Sequence, residues 1–336
     1  MLLANDGLSA GHVARMIAIA GELRDARVVL ATTSQAHALL AASSAVVVQL
    51  PAPALARSAG FSDAERRRLV SGTIEGLARA FAPDVVAIDT FPLGPHRELA
   101  GVDLGYAKRA LVRRHVPDHA AKDPVLVEGA ELLDLVVLAD DGGRVDSALD
   151  AREVHVPPIT IAPPARSREE ARRALGLPRD GRVLLVAAGG GGDEDATSHA
   201  TKLAEALVRI DTECTVALAL GPLAGRRHDE HPRLRHVHPA PLASSLSAFD
   251  GAFAPAGYNT THELALARVP AVLFAEPRPF DDQLARARRF EATVLESFDD
   301  AAIARARAAM RPLRAIEPGG AERAAKALLD LVRRPG

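Results

Sequence analysis

A chain of 336 residues can hold two domains, each with a core of its own. A formal net charge of -2 leaves no basic footprint for nucleic acid, and 3% aromatic residues with no Trp leave little for base-stacking platforms or Trp-lined sugar clefts. With 48% hydrophobic residues and no unbroken apolar run of about 18 residues, the composition is that of a globular protein rather than a membrane-spanning one.

In chain order, residues 2–5 predict a strand and 12–23 a helix. The β-branched runs at 28–32 and 46–50 predict strands, with a helix over 34–41 between them. Ser62-Asp-Ala-Glu65 is a capping-box pattern that opens a long helix over 62–80. Strands follow at 84–89 and 135–139. Val156-Pro-Pro-Ile-Thr-Ile-Ala-Pro-Pro164 then sets four prolines in nine residues, a stiff extended connection.

The alternation restarts with a helix over 167–175, a strand over 182–187 and a helix over 193–209. Strands at 214–220 and 234–238, a helix over 242–248 and a strand over 251–254 come next. A helix over 262–267, a strand over 271–274 and helices over 281–290, 301–310 and 321–333 complete it. Such alternation means βα units and parallel sheets. The predicted fold is α/β, with two Rossmann-like doubly wound domains facing a cleft. The N-terminal domain covers 1–156, a proline-rich linker 157–166, and the C-terminal domain 167–336. Ligands of such sheets bind at the carboxyl ends of the strands.

The N-terminus lacks a basic stretch ahead of its apolar residues, so no signal peptide is read and a cytoplasmic location is expected. The single cysteine, Cys214, sits in an apolar run with no activating neighbour, which reads as a buried, inert thiol.

Four strand-to-helix loops carry chemistry. In Val186-Ala-Ala-Gly-Gly-Gly-Gly-Asp-Glu-Asp195, Gly189, Gly190, Gly191 and Gly192 let a backbone approach a ligand at a helix start. That makes a phosphate cradle, weighed against a merely flexible turn. The pattern is not a Walker A loop. Asp193, Glu194 and Asp195 read as helix-start acids that complement the dipole rather than as a metal motif, although turned toward a diphosphate they would repel it.

In Ala254-Pro-Ala-Gly-Tyr-Asn-Thr-Thr-His-Glu263, Gly257 is read as permitting a tight turn. Asn259, Thr260 and Thr261 offer donors at a helix start. Glu263 can accept hydrogen bonds from a ribose diol; its plainer role is to favour the helix dipole. In Phe274-Ala-Glu-Pro-Arg-Pro-Phe-Asp-Asp-Gln283, Asp282 and Gln283 could bond sugar hydroxyls, with helix capping an equal reading for Asp281 and Asp282. In Asn5-Asp-Gly-Leu-Ser-Ala-Gly-His-Val-Ala-Arg15, His12 at a helix start suits a general base, against a capping or surface role.

These residues together resemble the MurG-like glycosyltransferases of glycosyltransferase family 28 and a bacterial group of predicted glycosyltransferases. Gly11-His12-Val13-Ala14-Arg15 is similar to that group's Gly-His-x-x-Arg loop. Asp89-Thr-Phe-Pro-Leu-Gly-Pro-His-Arg-Glu-Leu99 is similar to its Asp-x-Phe-Pro-x-Gly segment. Residues 256–263 and 277–283 resemble the nucleotide-sugar signature. The resemblance implies a GT-B fold, a UDP-sugar donor (N-acetylglucosamine by family default) and inverting transfer to an unidentified hydroxyl acceptor, small molecule, glycan or lipid-linked. No cofactor and no essential metal are implied.

By that likeness His12 is the catalytic centre, with Asp89 as a second candidate base. Glu263 holds the ribose, glycines 189–192 the diphosphate, and Gln283 the sugar. Ser9, Gly11 and Arg15 lie on the acceptor side. The chain departs from MurG in its first loop, which lacks the glycine-rich lipid-phosphate sequence, and in the acids behind the glycines.

Rival readings are weighed on residues. Gly7-Leu-Ser-Ala-Gly11 matches a hydrolase nucleophile elbow at Ser9, but only one strand precedes it. A nucleotide-sugar hydrolase or a non-catalytic nucleotide-sugar binder would use the same loops. His228, His231, His236 and His238, with Asp229 and Glu230, lack zincin spacing and read as a solvated loop. Arg66-Arg67-Arg68 reads as a solvated helix face, with contact to an anionic acceptor or a membrane surface as the minor reading.

Overall fold

The computed structural model describes all residues except 5–9, 143–148, 163, 165, 191–193, 222–230, 240 and 334–336. It divides into two units, Met1–Ile159 with Pro318–Gly336, and Thr160–Glu317.

The first unit is built on seven parallel strands: β1 (Leu2–Ala4), β2 (Val29–Thr32), β3 (Val46–Gln49), β4 (Val85–Asp89), β5 (Lys108–Arg114), β6 (Leu135–Ala139) and β7 (Glu153–Val156). Their order is β3-β2-β1-β4-β5-β6-β7. The direction of build-up reverses between β1 and β4, and a reversal of this kind is where doubly wound sheets bind ligands.

Its helices are α1 (Gly11–Glu22), α2 (His37–Leu40), α3 (Pro53–Ser58), α4 (Asp63–Phe81) and α5 (Pro124–Val127). The predicted capping box opens α4: Ser62 accepts from the Glu65 N–H, and the Glu65 carboxylate accepts from the Ser62 N–H. Val70, Ile74 and Ala78 recur every fourth residue and form its buried stripe.

No strand is predicted over β5, whose sequence sets four basic residues around three apolar ones. It forms because it is paired on both edges, to β4 and β6. Arg113 is 2% exposed there, and its Nη1 donates to Leu126 O at 3.2 Å. Arg66 corrects the reading of a solvated arginine run. It is buried with its guanidinium 3.5 Å from Glu98 Oε1, while Arg67 and Arg68 stay exposed. Glu98 also accepts from the His96 N–H at 2.9 Å, so the glutamate of the 89–99 segment anchors that loop to α4.

The second unit repeats the design. Its sheet has the order β10-β9-β8-β11-β12-β13, from β8 (Arg182–Ala187), β9 (Cys214–Ala219), β10 (Leu234–His236), β11 (Gly251–Pro255), β12 (Pro270–Phe274) and β13 (Thr293–Val294). The strand β14 (Arg311–Pro312) pairs antiparallel with β12. The helices are α6 (Arg168–Ala174), α7 (Glu194–Ile210), α8 (Tyr258–Ala267), α9 (Gln283–Arg289) and α10 (Asp300–Ala308). Residues 242–248, read as a helix, form a 3₁₀ helix. Separate apolar clusters include alternate residues of β8, Leu185 and Ala187 in one and Leu184 and Val186 in the other, as a sheet covered on both faces requires.

The last helix, α11 (Gly320–Arg333), corrects the predicted domain limits. It belongs to the first unit, packing on α1 and on β4 through β7. Ala321, Ala324, Ala325, Leu328 and Leu331 form its buried face. The backbone at Gly320 passes so close to the 157–158 peptide that an added Cβ would lie 2.2 Å from Pro157 O. An apolar helix face demands a partner surface without specifying which, so the sequence alone assigned α11 to its chain neighbours.

Candidate functional site

In the first unit the reversal point between β1 and β4 carries a hydrogen-bonded cluster. Asp89 ends β4, and His12 and Arg15 stand three residues apart on the first turns of α1, hence on one helix face. His12 Nδ1 hydrogen-bonds Asp89 Oδ2. Arg15 donates from Nε to Asp89 Oδ1 at 2.8 Å and from Nη2 to Oδ2 at 3.0 Å. Thr90 Oγ1 donates to Asp89 Oδ2 at 2.9 Å and accepts from Arg15 Nη2 at 3.0 Å.

Both Asp89 oxygens are therefore engaged. Burial opposes its ionisation, but the Arg15 guanidinium, then His12 and the hydrogen bonds, outweigh burial and hold the carboxyl well below the usual carboxylate range. His12 keeps 19% of its side chain exposed against 1% for Asp89, and its ring stacks on Phe91 with centroids 5.9 Å apart. Arg15, expected on the acceptor side, is 3% exposed and turned onto the aspartate. Gly11 is the first residue of α1, and Ser9 lies outside the described residues.

Sequence reasoning passed over Thr90 and Phe91. The signal for Thr90 is structural: a β-branched residue at φ 62° is strained, and here it turns the chain directly after Asp89.

In the second unit, the β8–α7 turn holds Gly189 at φ 80°, a backbone that L side chains rarely adopt. Gly190 follows it, while Gly191, Gly192 and Asp193 lie outside the described residues. Gly257 departs from expectation. Its φ of -66° suits any residue, and an added Cβ would meet no described atom within 4 Å. Among the described residues the glycine leaves open space at the start of α8.

That start has no side-chain cap, and it presents the positive end of the α8 dipole. Asn259 and Thr260 are half-buried beside it. Thr261 is fully buried, and its Oγ1 has no hydrogen-bond partner among the described residues. Glu263, in the second turn, is buried, and no described residue hydrogen-bonds its carboxyl. Burial alone pushes its carboxyl up to about 8, so at neutral pH it holds its proton. His262 fixes the helix from behind: Nδ1–H donates to Tyr258 O at 2.6 Å, and its ring meets Phe290 edge-on at 5.0 Å.

In the third loop Asp281 pairs with the buried Arg286 at 2.6 Å, and Arg286 also donates to Ala256 O at 2.8 Å. This ties the 281–283 turn to the approach to α8. Asp282 caps α9, accepting from the Ala285 N–H at 2.8 Å. Gln283 is buried, and its Oε1 accepts from the Glu276 N–H at 3.0 Å. Cys214 is buried, and burial with Asp211 nearby raises its thiol to about 11, matching the inert reading. His228, Asp229 and Glu230 lie outside the described residues. Among the described residues, no helix is long and apolar enough to cross a membrane.

Two tandem Rossmann-like domains of this design define the GT-B class of folds. Solved structures bear this out over nearly the whole chain. MurG from Acinetobacter baumannii is 14% identical with a TM-score of 0.54, and the match covers 98% of this chain and 99% of that one. The spinosyn rhamnosyltransferase SpnG, complexed with thymidine diphosphate, is 16% identical with a TM-score of 0.58, covering 98% and 95%. UDP-GlcNAc 2-epimerase from Methanocaldococcus jannaschii is 11% identical with a TM-score of 0.61, covering 98% and 99%. No protein-family model matches the sequence, and no curated protein does. At these identities the likeness is one of fold.

Proposed function

We propose that the protein is an inverting glycosyltransferase that moves a sugar from a nucleoside-diphosphate sugar, UDP-linked in our reading, to a hydroxyl acceptor without an essential metal. The observation that carries this is a pair of features, one in each unit. One sheet has a histidine–aspartate dyad at its reversal point; the other has a helix start with no side-chain cap near a buried glutamate whose carboxyl no described residue hydrogen-bonds. Fold neighbours that include a thymidine-diphosphate complex, MurG and a UDP-GlcNAc epimerase support a nucleotide-sugar ligand.

In the reaction the acceptor oxygen attacks the anomeric carbon opposite the departing nucleotide. His12 Nε2 takes the hydroxyl proton as the new C–O bond forms. The old bond breaks with its electron pair on the diphosphate oxygen. Asp89 acts through His12: with both oxygens engaged it fixes the Nδ1–H tautomer and stabilises the imidazolium. The growing negative charge on the diphosphate meets the positive end of the α8 dipole, the glycine turn and the Thr261 hydroxyl. Glu263 takes the ribose diol and Gln283 the sugar.

A melting-temperature screen with UDP, TDP and their sugars tests the reading, since a ligand bound only by the folded state raises the transition. No shift with any of them would sink it. Chelation by EDTA is expected to leave turnover unchanged; loss restored by manganese would return the metal role to the acids behind the glycine turn. The same dyad could activate water, so sugar release without acceptor at full catalytic rate would make the enzyme a hydrolase.

Gly257→Ala gives a sharper local check. The alanine fits the observed dihedral and clashes with no described residue, so stability stays equal or rises by about 0.4–1 kcal/mol. Nucleotide affinity should fall, because the methyl enters the space a phosphate would take. Unchanged affinity would place the diphosphate elsewhere.

A further inference from the structure

A chain of contacts in the second unit reaches Gln283 through two residues with no role so far. His199 lies on α7, the helix that follows the glycine turn, and its Nδ1 is 2.9 Å from Glu276 Oε1. The His199 ring stacks on Phe298 with centroids 4.8 Å apart and planes 13° from parallel. Phe298 in turn meets Phe274 of β12 edge-on at 5.4 Å. Glu276, directly after β12, is 5% exposed, and its peptide N–H is the donor to Gln283 Oε1.

A carboxylate this deeply buried needs a donor, and among the described residues His199 supplies it. The ring is held by both a hydrogen bond and a stack, so it has one orientation. The Glu276 peptide N–H can only donate, so Gln283 must turn its oxygen inward and its NH₂ away. The two N–H bonds of that NH₂ are then the groups Gln283 offers toward a ligand.

We propose that His199 and Glu276 are positioning residues for the donor sugar, holding Gln283 with its amide N–H groups turned to a sugar oxygen. The inference rests on the reading of Gln283 as the residue that faces the sugar. It adds a specificity rule: the sugar must present an oxygen lone pair to those N–H groups, from a hydroxyl or an acyl carbonyl. A deoxy carbon leaves a buried donor unsatisfied and binds more weakly.

The test is calorimetry of UDP-N-acetylglucosamine and of UDP with wild type, His199→Ala, His199→Gln, Gln283→Ala and the His199→Ala/Gln283→Ala double variant. His199→Ala should weaken the sugar nucleotide by about fivefold and leave UDP unchanged. His199→Gln, whose amide can still donate to Glu276, should recover most of the loss. The double variant should bind no more weakly than Gln283→Ala alone, because a relay acts only through its last member. Additive losses, or equal losses for UDP and the sugar nucleotide, would overturn the relay. If Gln283→Ala binds both ligands as wild type does, the sugar role of Gln283 fails and the relay with it, while Glu263 is untouched. Wild type that binds neither ligand, or does not distinguish them, also overturns it.

Discussion

His12→Ala is expected to lower turnover by about 10²–10⁴-fold, the usual contribution of a positioned general base, while nucleotide affinity stays as in wild type. The split follows from where the residues lie: the dyad belongs to the first unit, the proposed nucleotide grip to the second. The variant is also the gentlest way to break the dyad, because His12 is the partly exposed member. Asp89→Asn is less informative. It leaves the buried Arg15 facing a neutral group, and removing one partner of a buried ion pair costs about 3–5 kcal/mol.

The acid limb of stability carries the same signature. The Asp89 pKa is lower folded than unfolded, so its stabilisation is complete above the ordinary carboxylate range. It is lost as the pH falls below that range toward the folded value. Turnover by His12→Ala equal to wild type would remove the dyad from the mechanism.

The second large effect is expected at Glu263. Its carboxyl is raised to about 8 in the folded protein from an ordinary value of 4.5, so the folded state holds a proton that the unfolded chain has released. Between these values, stability of the free protein should fall as pH rises, by about 1.4 kcal/mol per unit. Two ribose hydroxyls donating to the carboxylate favour its ionised form. Nucleotide affinity should therefore rise with pH, about tenfold per unit, up to about 8 and level off above it.

Glu263→Gln abolishes both slopes: the free protein gains stability at pH 8, and affinity for UDP loses its pH dependence. Calorimetry of UDP with both proteins at pH 6, 7 and 8 decides the matter. A flat wild-type profile, or a slope that survives in the Glu263→Gln variant, would sink the ribose assignment.

Much of this was legible in the chain. The period of apolar runs announced parallel α/β units, because strands buried on both faces must be apolar throughout and their helices must be amphipathic. Ser62 with Glu65 announced a helix start, since a cap is a local hydrogen bond between residues three apart, and Ser167 with Glu170 forms the same box at the start of α6.

What the chain alone left undecided depends on distance in space. The pairing of His12 with Asp89, 77 residues apart, and of His199 with Glu276, also 77 apart, exists only once sheets bring strand ends together. The same holds for the turning of Arg15 onto Asp89, the burial of Arg66 against Glu98, and the choice of α11 between two apolar surfaces. A sequence determines which groups must be buried or paired; the tertiary structure decides with whom, because desolvation is set by neighbours that the order of residues does not record.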